Sequence, residues 1–278
     1  MTICIAAIAS DGDYVLSTTD TLISAGNTTF NPANLKMVFL NNGWQLLFSG
    51  TLSVMSDLKD KFYSNLLSET DAEPQTIKRC LQNAIQSELA NYSANRLLLP
   101  YGIDMNTFMT EKERFTEHRW DEISRQIIDY ADTYDPKLIL CGWGEYGKAT
   151  GMPSLFSADR DGVQNHNKTG FCVAGTGGPA AQAALSFYHY TKQYSLADAI
   201  YCVAAAGFSS ERSAGVGRIR AIYIAAKGGM KESFFIQTDQ LGKIRSLWES
   251  KNPQHPPADA TMCVREILNN RQPAMESL

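Results

Sequence analysis

A chain of 278 residues that is 44% hydrophobic and 19% charged is long enough to bury a full core and too apolar to stay disordered. Its formal charge of −4, with 25 Lys and Arg against 29 Asp and Glu and no basic run, carries no phosphate-backbone footprint and sets nucleic acid aside as a partner. No apolar stretch approaches the roughly 20 residues of a membrane span, and the N-terminal apolar run lacks a basic lead and is cut at Ser10, so a cytoplasmic protein without membrane association is expected.

Ile3 to Ala9 and Tyr14 to Thr18 read as two short strands around Asp11-Gly12, a strong hairpin signal. Lys36 to Leu40 and Trp44 to Ser49 flank Asn41-Asn42-Gly43 and read the same way, which places four strands before Gly50. The period then changes. Val54, Leu58, Phe62 and Leu66, and then Ile77, Leu81, Ile85 and Leu89, recur every four positions, which predicts two helices, with Asp71 to Pro74 as the break between them. Asn95 to Phe108 is less regular, and Glu111 to Tyr130 reads as a charged helix with a solvated face.

Strand signals return at Lys137 to Trp143, Ser154 to Ala158 and Phe171 to Ala174, the last running into Gly175-Thr176-Gly177-Gly178-Pro179. Ala180 to Tyr190 and Leu196 to Ala206 are Ala- and Leu-rich helical segments; Ile219 to Ala225 and Ser233 to Gln237 are late strands; Pro253, Pro256 and Pro257 break up the tail. Each helical pair must bury an apolar face, and two stacked sheets with helices on both outer sides would satisfy that order. Composition and periodicity alone leave other α+β arrangements open.

The scattered cysteines, Cys4, Cys80, Cys141, Cys172, Cys202 and Cys263, read as reduced thiols, most of them in the core. The glycine-rich segment at 175–178 lacks the Lys-Ser/Thr ending of a phosphate loop. His118, His166, His189 and His255 have no ligand spacing, and Asp57, Asp60, Asp159 and Asp161 form no calcium-loop pattern, so neither a metal nor another cofactor is expected.

Taken in order, Thr2-Ile3-Cys4-Ile5-Ala6, Asp11-Gly12, Asp20, Lys36, Phe48-Ser49-Gly50, Cys141-Gly142-Trp143, Ser157 to Gly162, Ala174 to Gly178 and Ser213-Ala214-Gly215 resemble a proteasome β-type subunit, within the N-terminal nucleophile hydrolases. The likeness runs from about Thr2 to Ala225. It implies an α+β fold, a four-layer αββα sandwich, and a single domain over 1–278 with a helical insertion around 109–132 and a C-terminal extension after about 229. It also implies a threonine-type peptidase or amidohydrolase acting on a peptide or small amide, assembled as a homo-oligomer and possibly a ring. The competing reading is a non-catalytic structural or binding subunit of such an assembly.

Position by position, the resemblance puts Thr2 on the nucleophile, Asp20 and Lys36 on its charged neighbours, and Gly50 on the oxyanion-hole amide. Thr176 and Glu211 fall on supporting positions, and Ala214 falls where a second hydroxyl is expected, with Ser213 one residue earlier. Leu22, Phe48 and Leu52 fall near positions that shape a substrate pocket, although core packing accounts for them equally well. The chemistry carries a condition: Met1 must be removed, because only a free α-amine at Thr2, with a reference pKa of about 7.7–8.0, can take the hydroxyl proton. Initiator Met is commonly trimmed before a residue as small as Thr. Without the surrounding pattern, Thr2 is a strand former, Asp20 a turn cap, Lys36 a strand-edge lysine and Gly50 a plain strand-to-helix turn.

Overall fold

The computed structural model describes residues 2–270 apart from 22, 26–27, 31–35, 41–43, 51, 68–72, 134–135, 146–147, 229–231 and 252–255. The turn expected at Asn41-Asn42-Gly43, Pro253, and part of the break before Pro74 lie outside the described residues. Two antiparallel five-stranded sheets form the centre. The first has the order β10 (Phe171–Ala174), β1 (Cys4–Ala9), β2 (Tyr14–Thr19), β11 (Ile222–Ala226), β12 (Phe234–Ile236). The second has the order β5 (Met37–Leu40), β6 (Trp44–Ser49), β7 (Lys137–Glu145), β8 (Lys148–Asp159), β9 (Gly162–Asn165).

The central strands β1 and β11 are apolar and buried along their whole length because both of their faces are covered. In β1 the residues alternate: Ile5, Ala7 and Ala9 join the cluster under the helices, whereas Cys4, Ala6 and Ile8 face the second sheet. In β7, Leu138 and Leu140 point to one cluster and Ile139, Cys141 and Trp143 to the other. This is the period-two geometry of a strand with two buried sides. Helices α1 (Leu52–Leu67) and α2 (Pro74–Leu97) cover the second sheet through Leu58, Phe62, Leu66, Ile77, Leu81 and Ile85, the residues whose spacing predicted them.

The expectation of a four-layer αββα sandwich is corrected. Among the described residues there are eight helices, and they do not form one flanking layer on each side. Helix α6 (Leu196–Ser210) buries 13 of its 15 residues because it lies between the first sheet and two further helices, α7 (Thr238–Lys251) and α8 (Ala258–Asn269), which pack on it and on each other. A helix apolar on every side needs such cover, and α5 (Gly178–Phe187) packs alongside α6 as well. On the other side, α4 (Glu117–Thr133) packs on α2. Together with α3 (Met105–Thr110) it builds a separate small core of Leu98, Phe108 and Ile123, where Phe108 stacks on Trp120 at 5.5 Å. A two-stranded sheet, β3 (Ile23–Ala25) with β4 (Thr28–Phe30), stands apart from both five-stranded sheets.

Of the cysteines, all are free, and only Cys263 is incompletely buried.

Candidate active site

The β1–β2 pairing runs in the register Cys4↔Thr19, so the start of the chain and the end of β2 come side by side. The pairing continues past the ladder: Asp20 N donates to the Ile3 carbonyl at 3.2 Å, and Ile3 N donates to Asp20 Oδ1 at 3.2 Å. Thr2 and Asp20 are both buried, the latter fully. Lys36 enters from the other sheet, just before β5. Its backbone is held there by Lys36 N donating to Thr19 Oγ1 at 3.2 Å and by Phe48 N donating to the Lys36 carbonyl at 3.2 Å.

Only a tenth of the Lys36 side chain is exposed, and a buried ammonium requires partners. It has two here. Lys36 Nζ donates to Asp20 Oδ1 at 3.1 Å and also to Thr2 Oγ1. The second carboxylate oxygen, Oδ2, accepts from Gly217 N at 2.9 Å, so the Lys36 ammonium and the Ile3 and Gly217 amides all meet the Asp20 charge. The result is a cation held against a threonine hydroxyl, with its counterion locked from behind.

Gly175 closes the site on a third side. Its φ of +92° suits glycine, and a Cβ there would run into the Thr2 carbonyl and come within 3.0 Å of Ser49 Oγ. Gly177 N donates to the same Thr2 carbonyl at 3.2 Å, and Gly178 N to the Gly175 carbonyl at 2.9 Å as α5 begins. Gly50 follows Ser49, is exposed, and has a φ of +138°. Cys4 lies close enough to sense both charges, but burial and the Asp20 carboxylate push its thiol far above its ordinary range, with Lys36 opposing. It stays protonated and is no competing nucleophile.

A cavity of about 220 Å³ adjoins this point, with Lys137, Ser157, Asp159, Gly175, Pro179 and Gln182 among its lining residues. Behind it, Ser157 Oγ and His166 Nε2 are 2.7 Å apart.

The structure therefore brings Thr2, Asp20 and Lys36 into hydrogen-bonding contact, with Gly50 one residue from Ser49 at the rim. It places the other expected residues differently. Thr176 is exposed, and Ser213 is half-buried in the turn after α6; neither hydroxyl has a hydrogen bond among the described residues. Glu211 does not touch Thr2: it accepts from Ile219 N at 2.9 Å and pairs with Arg245. Phe48 packs toward the core under α1 and α2. Leu22 lies outside the described residues, and Leu52 is described only as the first residue of α1. Sequence reasoning missed Thr19, Gly217 and Arg245. A threonine ahead of an aspartate, a glycine in a loop and an arginine in an unassigned tail carry no separate signal.

Among the described residues, no helix is long and apolar enough to cross a membrane, and no three or more His, Cys, Asp or Glu side chains gather to hold a metal.

The fold is one found in solved structures. The Gly-1 mutant of Anbu from Hyphomicrobium sp. strain MC1 is similar over 90% of this chain and 94% of its own, with a TM-score of 0.61 at 15% identity. Anbu from Yersinia bercovieri, described as an ancestral beta-subunit, is similar over 89% of this chain and 93% of its own, with a TM-score of 0.60 at 13% identity. A further structure of Anbu from Hyphomicrobium sp. strain MC1 gives a TM-score of 0.60 at 14% identity, over 89% of this chain and 94% of its own. No protein-family model and no curated protein matches the sequence. These neighbours correct the resemblance drawn from the motifs: the three structures are Anbu chains rather than proteasome β-type subunits, one of them described as an ancestral beta-subunit, and at 13–15% identity they show the fold alone.

Proposed function

We propose that the chain is an N-terminal threonine amidohydrolase or peptidase that works through an acyl-enzyme ester. The observation that carries this reading is the buried Lys36 ammonium, held by Asp20 and donating to the Thr2 hydroxyl. A neutral threonine hydroxyl is a poor nucleophile, and a cation at this position lowers the cost of negative charge on Oγ1.

With Met1 removed, the Thr2 α-amine takes the hydroxyl proton as Oγ1 attacks the substrate carbonyl. The tetrahedral oxyanion points to the Gly50 amide, a contribution of roughly 3 kcal/mol for one such donor. Collapse expels the leaving amine, which carries away the proton, and the ester remains on Oγ1. Water deprotonated by the same α-amine then releases the acid and restores the hydroxyl. The substrate is a peptide or small amide. Assembly as a homo-oligomer belongs to the same reading; it is supported by the description of one structural neighbour as a beta-subunit, and a monomeric particle mass would contradict it.

The test is hydrolysis of fluorogenic peptide amides by the native protein and by Thr2→Ala. Turnover that disappears in Thr2→Ala with the fold intact supports the proposal. Equal turnover in both, or none in a native protein whose Met1 is gone, overturns it and leaves the non-catalytic subunit, a reading favoured by the unpaired hydroxyls of Thr176 and Ser213 among the described residues.

A further inference from the structure

Glu211 is a link in a relay that begins outside the motif-bearing part of the chain. Arg245, on α7, grips it with both arms of the guanidinium: Nη1 donates to Oε2 at 2.8 Å and Nη2 to Oε1 at 2.7 Å. The pair is shielded, with side-chain exposures of 23% and 10%, and the guanidinium lies 4.0 Å from the centre of the Phe208 ring. A fork on a carboxylate fixes direction as well as distance, and the aromatic ring beneath the guanidinium adds a further contact.

What Glu211 holds is the loop that holds Asp20. Its Oε1 accepts from Ile219 N at 2.9 Å, which ties the two ends of the 211–219 loop together. Ile219 is bridged to Asp20, and Gly217 N, two residues back, donates to Asp20 Oδ2 at 2.9 Å. Within the loop, Ser213 N donates to the Ser210 carbonyl at 2.9 Å and Val216 N to the Ser213 carbonyl at 3.2 Å. Asp20 Oδ1 in turn orients Lys36 Nζ, which donates to Thr2. Every link from α7 to Thr2 is a hydrogen bond, an ion pair or a strand bridge.

We infer that Arg245 is a positioning residue for the Thr2 site, so that α7 sets the orientation of the Asp20–Lys36 pair through Glu211 and the 211–219 loop. The inference rests on the threonine-hydrolase reading for its chemical consequence, but the mechanical link stands independently of it. Loss of the fork frees the loop, lets Asp20 rotate, and moves the ammonium relative to Oγ1. Binding of the acyl side of a substrate is not touched.

The experiment compares the full chain with Arg245→Ala, Arg245→Lys and Glu211→Gln in two measurements. The first is labelling of Thr2 by a peptide vinyl sulfone, resolved into a maximal rate and a half-saturating concentration. The second is amide hydrogen exchange at Gly217 and Ile219. Arg245→Ala is expected to slow the maximal labelling rate at least tenfold with the half-saturating concentration within twofold. Exchange at the two amides is expected to rise at least tenfold while Ile222 to Ala226 stay protected. Arg245→Lys, which keeps the charge but loses the fork, should fall between Ala and the parent, and Arg245→Ala added to Glu211→Gln should cause no further loss.

Unchanged exchange at Gly217 and Ile219 overturns the inference, as does loss of protection throughout β11, which would make Arg245 a general stabiliser. Should Arg245→Ala fail to fold, Arg245→Lys and Glu211→Gln decide by the same criteria. A parent that never labels at Thr2 defeats the hydrolase reading alone, and the exchange result still decides the link.

Discussion

The Lys36 ammonium stands between a carboxylate with no solvent exposure and a hydroxyl, and donates to both. Removing one half of a buried ion pair strands the other charge, a cost of about 3–5 kcal/mol. Asp20→Ala is therefore expected to lower unfolding stability by about that amount, since it also leaves the Ile3 and Gly217 amides without their acceptor. Chemical denaturation checks this, and a loss below about 1 kcal/mol would show that the pair is better solvated than its burial implies. Thr2, Asp20 and Lys36 come from three separate segments. Spacing alone would not have joined them, because β1–β2 pairing and the approach of the second sheet are what bring them together. A chance threonine on a strand, a capping aspartate and a strand-edge lysine were equally legible as isolated residues.

At the scale of the elements, the half-buried His166 imidazole, one residue past the end of β9, is tied back to β8 through Ser157. Burial lowers the His166 pKa below its ordinary 6.5. The unfolded chain then binds a proton that the folded chain refuses, so this residue's contribution is fully present above pH 6.5 and is lost as the pH falls through the window beneath it. Thermal midpoints between pH 5 and 8 should fall more steeply toward acid for the parent than for His166→Gln; parallel curves would contradict the assignment. Elements with strong periodicity were readable: β1, β2, β5, β6, α1, α2, α5 and α6 each fall on an apolar pattern in the sequence. Three-residue strands such as β3 and β4 are too short to show a period. Helices α7 and α8 escaped notice because the prolines around them read as a broken tail, although Leu241, Ile244, Trp248, Val264 and Ile267 give them a buried side.

For the whole molecule, those two unread helices explain why the expected layering failed. An all-apolar α6 signalled a helix with neighbours on every side, and the sequence alone did not say what those neighbours were. The same tail now carries Arg245, so the segment that looked like an appendage reaches the candidate site through Glu211. The central claim remains chemical: Thr2 is at once nucleophile and, through its freed α-amine, base. Peptide-mapping mass spectrometry of the native protein after treatment with a peptide vinyl sulfone tests it directly. The account predicts an N-terminal peptide that begins at Thr2 and carries one adduct on that residue, formed faster as the pH rises through about 7.7–8.0. A peptide that begins at Thr2 and remains unmodified, or an adduct on another residue, would contradict it.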